Sequence, residues 1–505
     1  MADASDYAAY EAAYEAGRPV LLDLTLVADL ETPVAAFLKL RARHPGPAFL
    51  LESVEGGVVR GRYSMIGLDP DLAWRCRDGR AALARGDLAD FADDDRAPLD
   101  SLRALIAESA IVEREGPELP PMAAGLFGYL GYDMVRAMER LPEPNPDPLG
   151  VPDAILVRPR VMVVFDSVRD LITVVCPVRP AAGVTARAAY EAALARLDRI
   201  AEALEGPLPI EARIDLAAVA HPEPVSNTTP EAYLAMVAKA KEYIVAGDVF
   251  QVVLSQRFEA PFTLPAIALY RSLRRTNPAP FLCYLDFCDF QVVCSSPEIL
   301  VRVRDDKVTI RPIAGTRPRG ATPAADRALA EELLADPKER SEHLMLLDLG
   351  RNDVGRVAKL GTVTVTGSFF LEYYSHVMHI VSNVEGDLDP RHDTLAALAA
   401  GFPAGTVSGA PKVRAMEIID ELEREKRGPY GGCIGYFGAQ GEMDTCIVLR
   451  TAIVKDGRMH VQAGAGIVYD SNPASEQQEC VNKARALFRA AEDAVRFAAQ
   501  AKRGQ

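Results

Sequence analysis

Two segments of the chain place paired carboxylates at the start of a helix. In Asp336-Pro337-Lys338-Glu339-Arg340-Ser341-Glu342-His343, an N-cap aspartate and a proline at the first helical position open the helix. Glu339 and Glu342 follow three residues apart, and at about 100° per residue they fall about 60° apart on one face. Asn472-Pro473-Ala474-Ser475-Glu476-Gln477-Gln478-Glu479 repeats the device with Glu476 and Glu479, and Lys483 lies one turn further along that face. If the two starts meet in space, they offer hard oxygen ligands to a single divalent cation. Mg²⁺ commonly takes one or two carboxylates, several waters and a substrate oxygen. Each pair alone also has a plain explanation. Acidic residues in a first turn complement the helix dipole, and Glu479–Lys483 is a favourable i,i+4 pair, effects worth a few tenths to about 1 kcal/mol.

Other residues carry chemistry of their own. His376 and His379 sit three apart, as packing groups or as an acid–base pair titrating near neutrality. Arg450 ends the apolar run Ile447-Val448-Leu449, where a guanidinium either clamps a carboxylate or reaches for solvent. Glu298 follows Ser295-Ser296-Pro297 directly after a strand, as a turn residue or as an acid with a raised pKa. The glycine-rich stretches 401–412 and 463–467 each precede a helix and suit either a carboxylate cradle or simple turns. Neither has the glycine spacing of a nucleotide loop.

The elements that must position these groups mix helices with antiparallel hairpins. Thr229-Pro230-Glu231 begins a helix that Gly247 stops, and Val249–Phe258 reads as a strand with Gln251, Val253 and Ser255 on one face. Runs 281–287 with 290–294, and 300–304 with 307–313, read as hairpins. Earlier, 19–24, 160–165 and 171–175 read as strands, and Thr185–Leu204 as an amphipathic helix. There is no regular βαβ rhythm, so the expected class is α+β. Two proline-rich stretches place a linker at 206–228, between an N-terminal part, 1–205, and a second part, 229–505.

The chain has 505 residues, 56 Lys plus Arg against 71 Asp plus Glu, and a formal charge of −15. At 49% apolar and 25% charged residues it is of ordinary globular composition, which excludes disorder and collagen-like order. The acidic balance argues against nucleic acid as a partner. A small anionic substrate would need a local cationic centre. No apolar run reaches the ~18 residues of a membrane span. The eight cysteines lack CxxC spacing and read as reduced, buried hydrophobes of a cytoplasmic protein.

Taken together and in order, six segments resemble the chorismate-utilising enzymes, and within them the anthranilate synthase component I family. They are Arg311-Pro312-Ile313-Ala314-Gly315-Thr316-Arg317, Asp336 to His343, Asp348-Leu349-Gly350-Arg351-Asn352-Asp353, Ser375 to His379, Phe402 to Lys412, and Gln462 to Ile467. The resemblance covers about 230 to 490. Leu50-Leu51-Glu52-Ser53 and Arg62-Tyr63-Ser64 extend it to the N-terminal part. It implies antiparallel sheets in a layered sandwich with helices on the outside, and chorismate, a dianion, as substrate.

By this resemblance Glu342 and Glu479 would hold Mg²⁺ on the ring carboxylate, with Glu339 and Glu476 as further or water-mediated ligands. Arg450, Tyr430 and the amides near Gly464 and Gly466 would take the enolpyruvyl carboxylate. Lys483 would support the metal end, Thr406 would contact substrate, and Ala314, Gly315 and Thr316 would line the pocket. Ammonia would add to the ring, Glu298 would protonate the departing hydroxyl, and His379 would help expel pyruvate. Gln251 stands where relatives that add water carry a lysine base, and an amide cannot deprotonate water. Ala314 stands where many aminodeoxychorismate synthases carry a lysine nucleophile, which favours anthranilate over that alternative product. No cysteine has the setting of a glutaminase nucleophile, so a separate glutamine amidotransferase subunit is implied. Leu51, Glu52, Ser53, Asn277, Pro278 and Phe281 match a site for L-tryptophan as inhibitor, although Phe281-Leu282 departs from the family's commoner Tyr-Met. A non-catalytic tryptophan-binding scaffold would have lost carboxylates or His379, and all are present.

Overall fold

The computed structural model describes all residues except 1–3, 56–58, 87, 112–118, 121, 210–222, 375–376 and 501–505. Most of the proposed linker, and His376, therefore lie outside the described residues. Among the described residues, twenty-two strands join in one antiparallel network. It runs in two branches from a long pair, Val59–Arg77 and Ala154–Asp166. The pair bends where Pro70 faces Pro159 and the register slips. Proline has no N–H for a ladder, so a bend of this kind tolerates it.

Beyond the bend on one side, the branch passes through Ala48–Glu55, Phe281–Asp286, Phe290–Ser296, Thr451–Lys455 and Arg458–Ile467 to Gln251–Pro261. On the other it passes through Gly125–Leu130, Cys433–Gly438, Met443–Ile447, Ile299–Arg304 and Lys307–Ile310 to Val377–Asp387. Strands Ile313–Pro318 and Thr364–Tyr373 flank that last strand. Residues of 1–205 and of 229–505 thus share both branches. The boundary at 206–228 is a change along the sequence, across which the sheets are continuous.

Side-chain alternation makes the layers. Phe49 and Leu51 join Cys283 and Leu285 in an apolar interior shared with Phe127, Ile434 and Val448 of the second branch. Their neighbours Leu50, Leu282 and Tyr284 face the other way, onto helices Pro33–Arg41, Ala186–Glu205, Ala266–Thr276 and Pro473–Gln500. Helices Pro98–Ser109, Pro230–Ala246, Pro337–Gly355, Thr394–Gly401 and Lys412–Leu422 pack against a further core, built largely on the second branch. This is the expected α+β sandwich with helices outside.

The local signals hold where they can be compared. Thr229 Oγ1 accepts from Ala232 N at 3.2 Å and Gly247 closes the helix at φ +86°. Asp336 caps Pro337–Gly355 through the N–H groups of Lys338 and Glu339, at 2.9 and 3.3 Å. Among the described residues, no helix is long and apolar enough to cross a membrane. Seven of the eight cysteines are buried, and Cys288 is exposed.

Candidate active site

The two helix starts meet. Burial raises the Glu342 carboxyl above its usual range, and the neighbouring charges of Glu339 and then Glu479 raise it further. Lys338 and Lys483 offset part of this. Glu476 is raised in the same way, by burial and then by Glu479, against a hydrogen bond from Ser471. Four carboxylates from two distant segments therefore feel one another, a repulsion that a cation would relieve. They do not form a closed ligand shell. Among the described residues, the only trio of metal-ligating groups gathered within 4.8 Å is Cys283, Cys294 and Cys446, three buried thiols in the sandwich interior. Glu339 is drawn to Arg317 at 3.2 Å, and Glu479 to Lys483 at 2.8 Å. The donor set suits a hard cation that keeps several of its waters.

A cleft of about 750 Å³ joins this end to Arg450, with Glu479, Lys483, Gln478 and Asn277 among its walls. Lys483 Nζ also donates to Gly464 O at 2.9 Å, which ties the helix to the glycine strand. Arg450 sits between two strands at φ +48°, a left-handed conformation that is strained for a side-chain residue. Among the described residues nothing accepts a hydrogen bond from its guanidinium. Burial lowers its pKa, and only the Tyr374 hydroxyl opposes that shift. A half-buried, unpaired guanidinium beside a cleft is built for an anion.

His379 adjoins Arg450. A bulge between Ala314 and Thr316 turns Gly315, at φ +66°, so that its carbonyl meets His379 Nδ1 at 3.0 Å. A carbonyl only accepts, so Nδ1 carries the proton and Nε2 keeps its lone pair. Thr316 Oγ1 lies 3.1 Å from the same nitrogen, and the Tyr374 ring packs edge-on against the imidazole. Burial, then the Arg450 charge, lowers the His379 pKa to about 4, so it stands as a neutral base. Glu298 is the converse. Buried without a cation, it is pushed up to about 8 and stands as an acid at neutral pH. Weak polar contacts from Ile313 N–H and Thr406 oppose that rise, yet Thr406 Oγ1 has no partner in hydrogen-bond geometry.

The glycine strand is shaped for close approach. A Cβ on Gly464 would stand 2.8 Å from Tyr430 Oη, and one on Gly466 would stand 2.5 Å from Gln251 Nε2. Gln251 is buried with Oε1 unpartnered, an orphaned acceptor facing this strand. Ala314 is buried opposite Ile380.

A family profile described as chorismate binding enzyme matches residues 32–489. The chain belongs to the chorismate binding enzyme family. Anthranilate synthase component 1 of Cereibacter sphaeroides is 58% identical over 505 residues, covering 99% of this chain and 100% of the relative. The protein of the same name from Pseudomonas putida is 49% identical, covering 92% of this chain and 93% of its own. The crystal structure of anthranilate synthase component I from Streptococcus pneumoniae superposes with a TM-score of 0.74 at 37% identity, over 92% of this chain and 99% of that one. The menaquinone-specific isochorismate synthase of Escherichia coli shares the fold at a TM-score of 0.71 and 19% identity, over 94% of each chain.

Part of the segment expected to bind tryptophan lines a second cavity, of about 670 Å³. Leu51, Glu52, Ser53 and Phe281 form one end, and Arg311, Glu372 and Tyr374 another. Glu52 is already paired: Arg274 donates at 2.6 and 2.9 Å and Tyr270 Oη at 2.6 Å. Asn277 instead borders the cleft that holds Arg450 and accepts from Ser295 Oγ through its carbonyl.

Two arrangements escaped the sequence reading. Arg427, 3% exposed, pairs with Glu423 and donates to Val407 O at 2.6 Å and Val253 O at 2.7 Å. It holds the loop that carries Thr406 against the Gln251 strand. Glu372 accepts from Tyr374 Oη at 2.8 Å and so braces the ring beside His379. A charged pair four residues apart reads as surface decoration, and only burial distinguishes it.

Proposed function

We propose that this chain is the large, chorismate-converting subunit of an anthranilate synthase. It would turn chorismate and ammonia into anthranilate and pyruvate for tryptophan biosynthesis. The observation that carries the reading is a cleft that joins the unpaired Arg450 to Glu479, whose charge acts on Glu342 of the other carboxylate-bearing helix start. The two ends match the two carboxylates of a small dianion.

Arg450, Tyr430 and the Gly464–Gly466 amides bind the enolpyruvyl carboxylate. Glu339, Glu342, Glu476 and Glu479 would hold Mg²⁺, which when bound supplies positive charge to the ring carboxylate. Glu298 gives its proton to the departing ring hydroxyl as ammonia adds to the ring. His379 Nε2 then serves the step that removes a ring proton and releases pyruvate. Thr406 and Thr316 fix the edges of the pocket. Gln251 and Ala314 supply neither a base for water nor an amine nucleophile, which favours direct ammonia addition. The ammonia would come from glutamine through an amidotransferase subunit. L-tryptophan would inhibit from the Glu52–Phe281 cavity by preferring an inactive arrangement. A division into 1–205 and 229–505 would then place Leu51, Glu52 and Ser53 in one part, and Asn277, Pro278 and Phe281 with the catalytic and metal-holding residues in the other.

The test is the purified chain with chorismate and ammonium, with and without Mg²⁺ and tryptophan. Anthranilate fluorescence with equimolar pyruvate is expected only with Mg²⁺. Accumulation of aminodeoxychorismate, or no turnover, contradicts the reading.

A further inference from the structure

The Asp348-Leu349-Gly350-Arg351-Asn352-Asp353 and Gly409-Ala410-Pro411-Lys412 motifs have no part in the site so far. The structure brings their last residues together: Lys412 Nζ lies 3.0 Å from Asp353 Oδ2. Asp353 is 5% exposed, whereas the Lys412 side chain, at 14%, still touches solvent. Asp353 and Glu298 line one small cavity of about 30 Å³, whose other walls are mostly Ile310, Leu346, Leu349 and Gly405, with Thr406. A space of that size holds one water or two. Water in a cavity needs two to four polar partners, and the carboxyls of Glu298 and Asp353 with the unpartnered Thr406 Oγ1 provide three.

The reaction gives this arrangement a task. Glu298 is buried, so once it has given up its proton it cannot recover one directly from bulk solvent. We propose that Asp353, with Lys412 at the solvent side, returns that proton through a water in the shared cavity. This rests on Glu298 acting as the acid in the function proposed above. The balance is simple. The Glu298 O–H bond breaks as the ring hydroxyl leaves as water. The carboxylate then takes a proton from the cavity water, that water takes one from Asp353, and Asp353 takes one from bulk. One proton enters from bulk by this route and one leaves to bulk from the added nitrogen as its ammonium becomes an amine, so chorismate and ammonia give anthranilate, pyruvate and water with no net proton change, and no electron moves. Burial raises the Asp353 carboxyl above its usual range, while Lys412 from the facing helix and Arg356 and Asn352 from its own oppose the rise.

The test separates the first turnover from those that follow, since resting Glu298 is already protonated. Rapid-quench measurements with chorismate, ammonium and Mg²⁺ compare wild type with D353N, D353N/K412M and G405A. A Cβ on Gly405 would stand 3.5 Å from Leu346 and Leu349, so alanine fits while filling the water space. Each variant should form about one equivalent of product at the wild-type rate and then slow at least about tenfold, with a larger solvent isotope effect on the slow phase. A first turnover slowed by the same factor as the rest would mark a structural role and overturn the proposal, as would unchanged steady-state rates. If the Asp353 variants fail to fold, G405A alone decides by the same criterion. E298Q should lose the first turnover itself. An active first turnover in E298Q would sink the acid assignment, a failure distinct from loss of the proton route.

Discussion

Replacing Glu298 with glutamine removes a proton and a potential charge while keeping the shape. Its carboxyl lies at about 8 instead of 4.5 because it is buried without a cation. At about 1.4 kcal/mol per pH unit, that difference corresponds to about 5 kcal/mol between the folded and unfolded settings. The sign follows from proton counts. Below pH 4.5 both states hold the proton. As pH rises towards 8 the unfolded chain releases it and the folded chain does not, so folding stability falls across this window. Above about 8 the folded state ionises as well and the loss is complete. Glu298→Gln abolishes this term, so between pH 5 and pH 8 urea unfolding should show the variant gaining on wild type by about 3.5 kcal/mol. Turnover should move in the opposite direction. General acid catalysis contributes about 10²–10⁴-fold, so kcat should fall by that factor with little change in KM. Wild-type kcat should also decline above pH 8, and the variant's residual rate should not. Equal pH dependence of stability in the two proteins, or a variant with wild-type kcat, would refute the burial argument.

Glu342→Gln and Glu479→Gln should each leave the fold intact and remove Mg²⁺-dependent turnover, checked by circular dichroism and by activity across a Mg²⁺ titration. Arg450→Ala should raise the KM for chorismate about 10- to 200-fold, since a charge-assisted hydrogen bond is worth about 1.5–3 kcal/mol, as steady-state kinetics would show. His379 must be neutral to act, so the acid limb of the kcat profile should lie near its pKa of about 4 and not near 6.5. Gly315→Ala would strain a residue at φ +66° and bring a methyl to 3.1 Å from Leu333 and 3.2 Å from Glu339. A loss of about 1–3 kcal/mol in thermal unfolding, with reduced kcat, is expected.

Much of the local structure was legible because it depends on near neighbours. Caps at Thr229 and Asp336, the stop at Gly247 and the hairpin through Cys288-Asp289 each follow from what one residue can do with its own backbone. The order of the motifs likewise carried the family. The sheet partners were less legible. Ala48–Glu55 lies beside Phe281–Asp286, and Gly125–Leu130 beside Cys433–Gly438, because long strands bent at Pro70 and Pro159 carry the early chain into both layers. A two-part division drawn from proline-rich composition has no access to such pairing.

By itself the sequence determined which groups can do chemistry and which helix faces present them, since a three-residue spacing places two carboxylates together on any helix. Tertiary structure alone decided what those groups become. A glutamate is an acid near pH 8, an arginine is left unpaired and a histidine is kept neutral only through what surrounds them. Burial and neighbouring charge are properties of packing between segments far apart in the chain, and no local pattern encodes them.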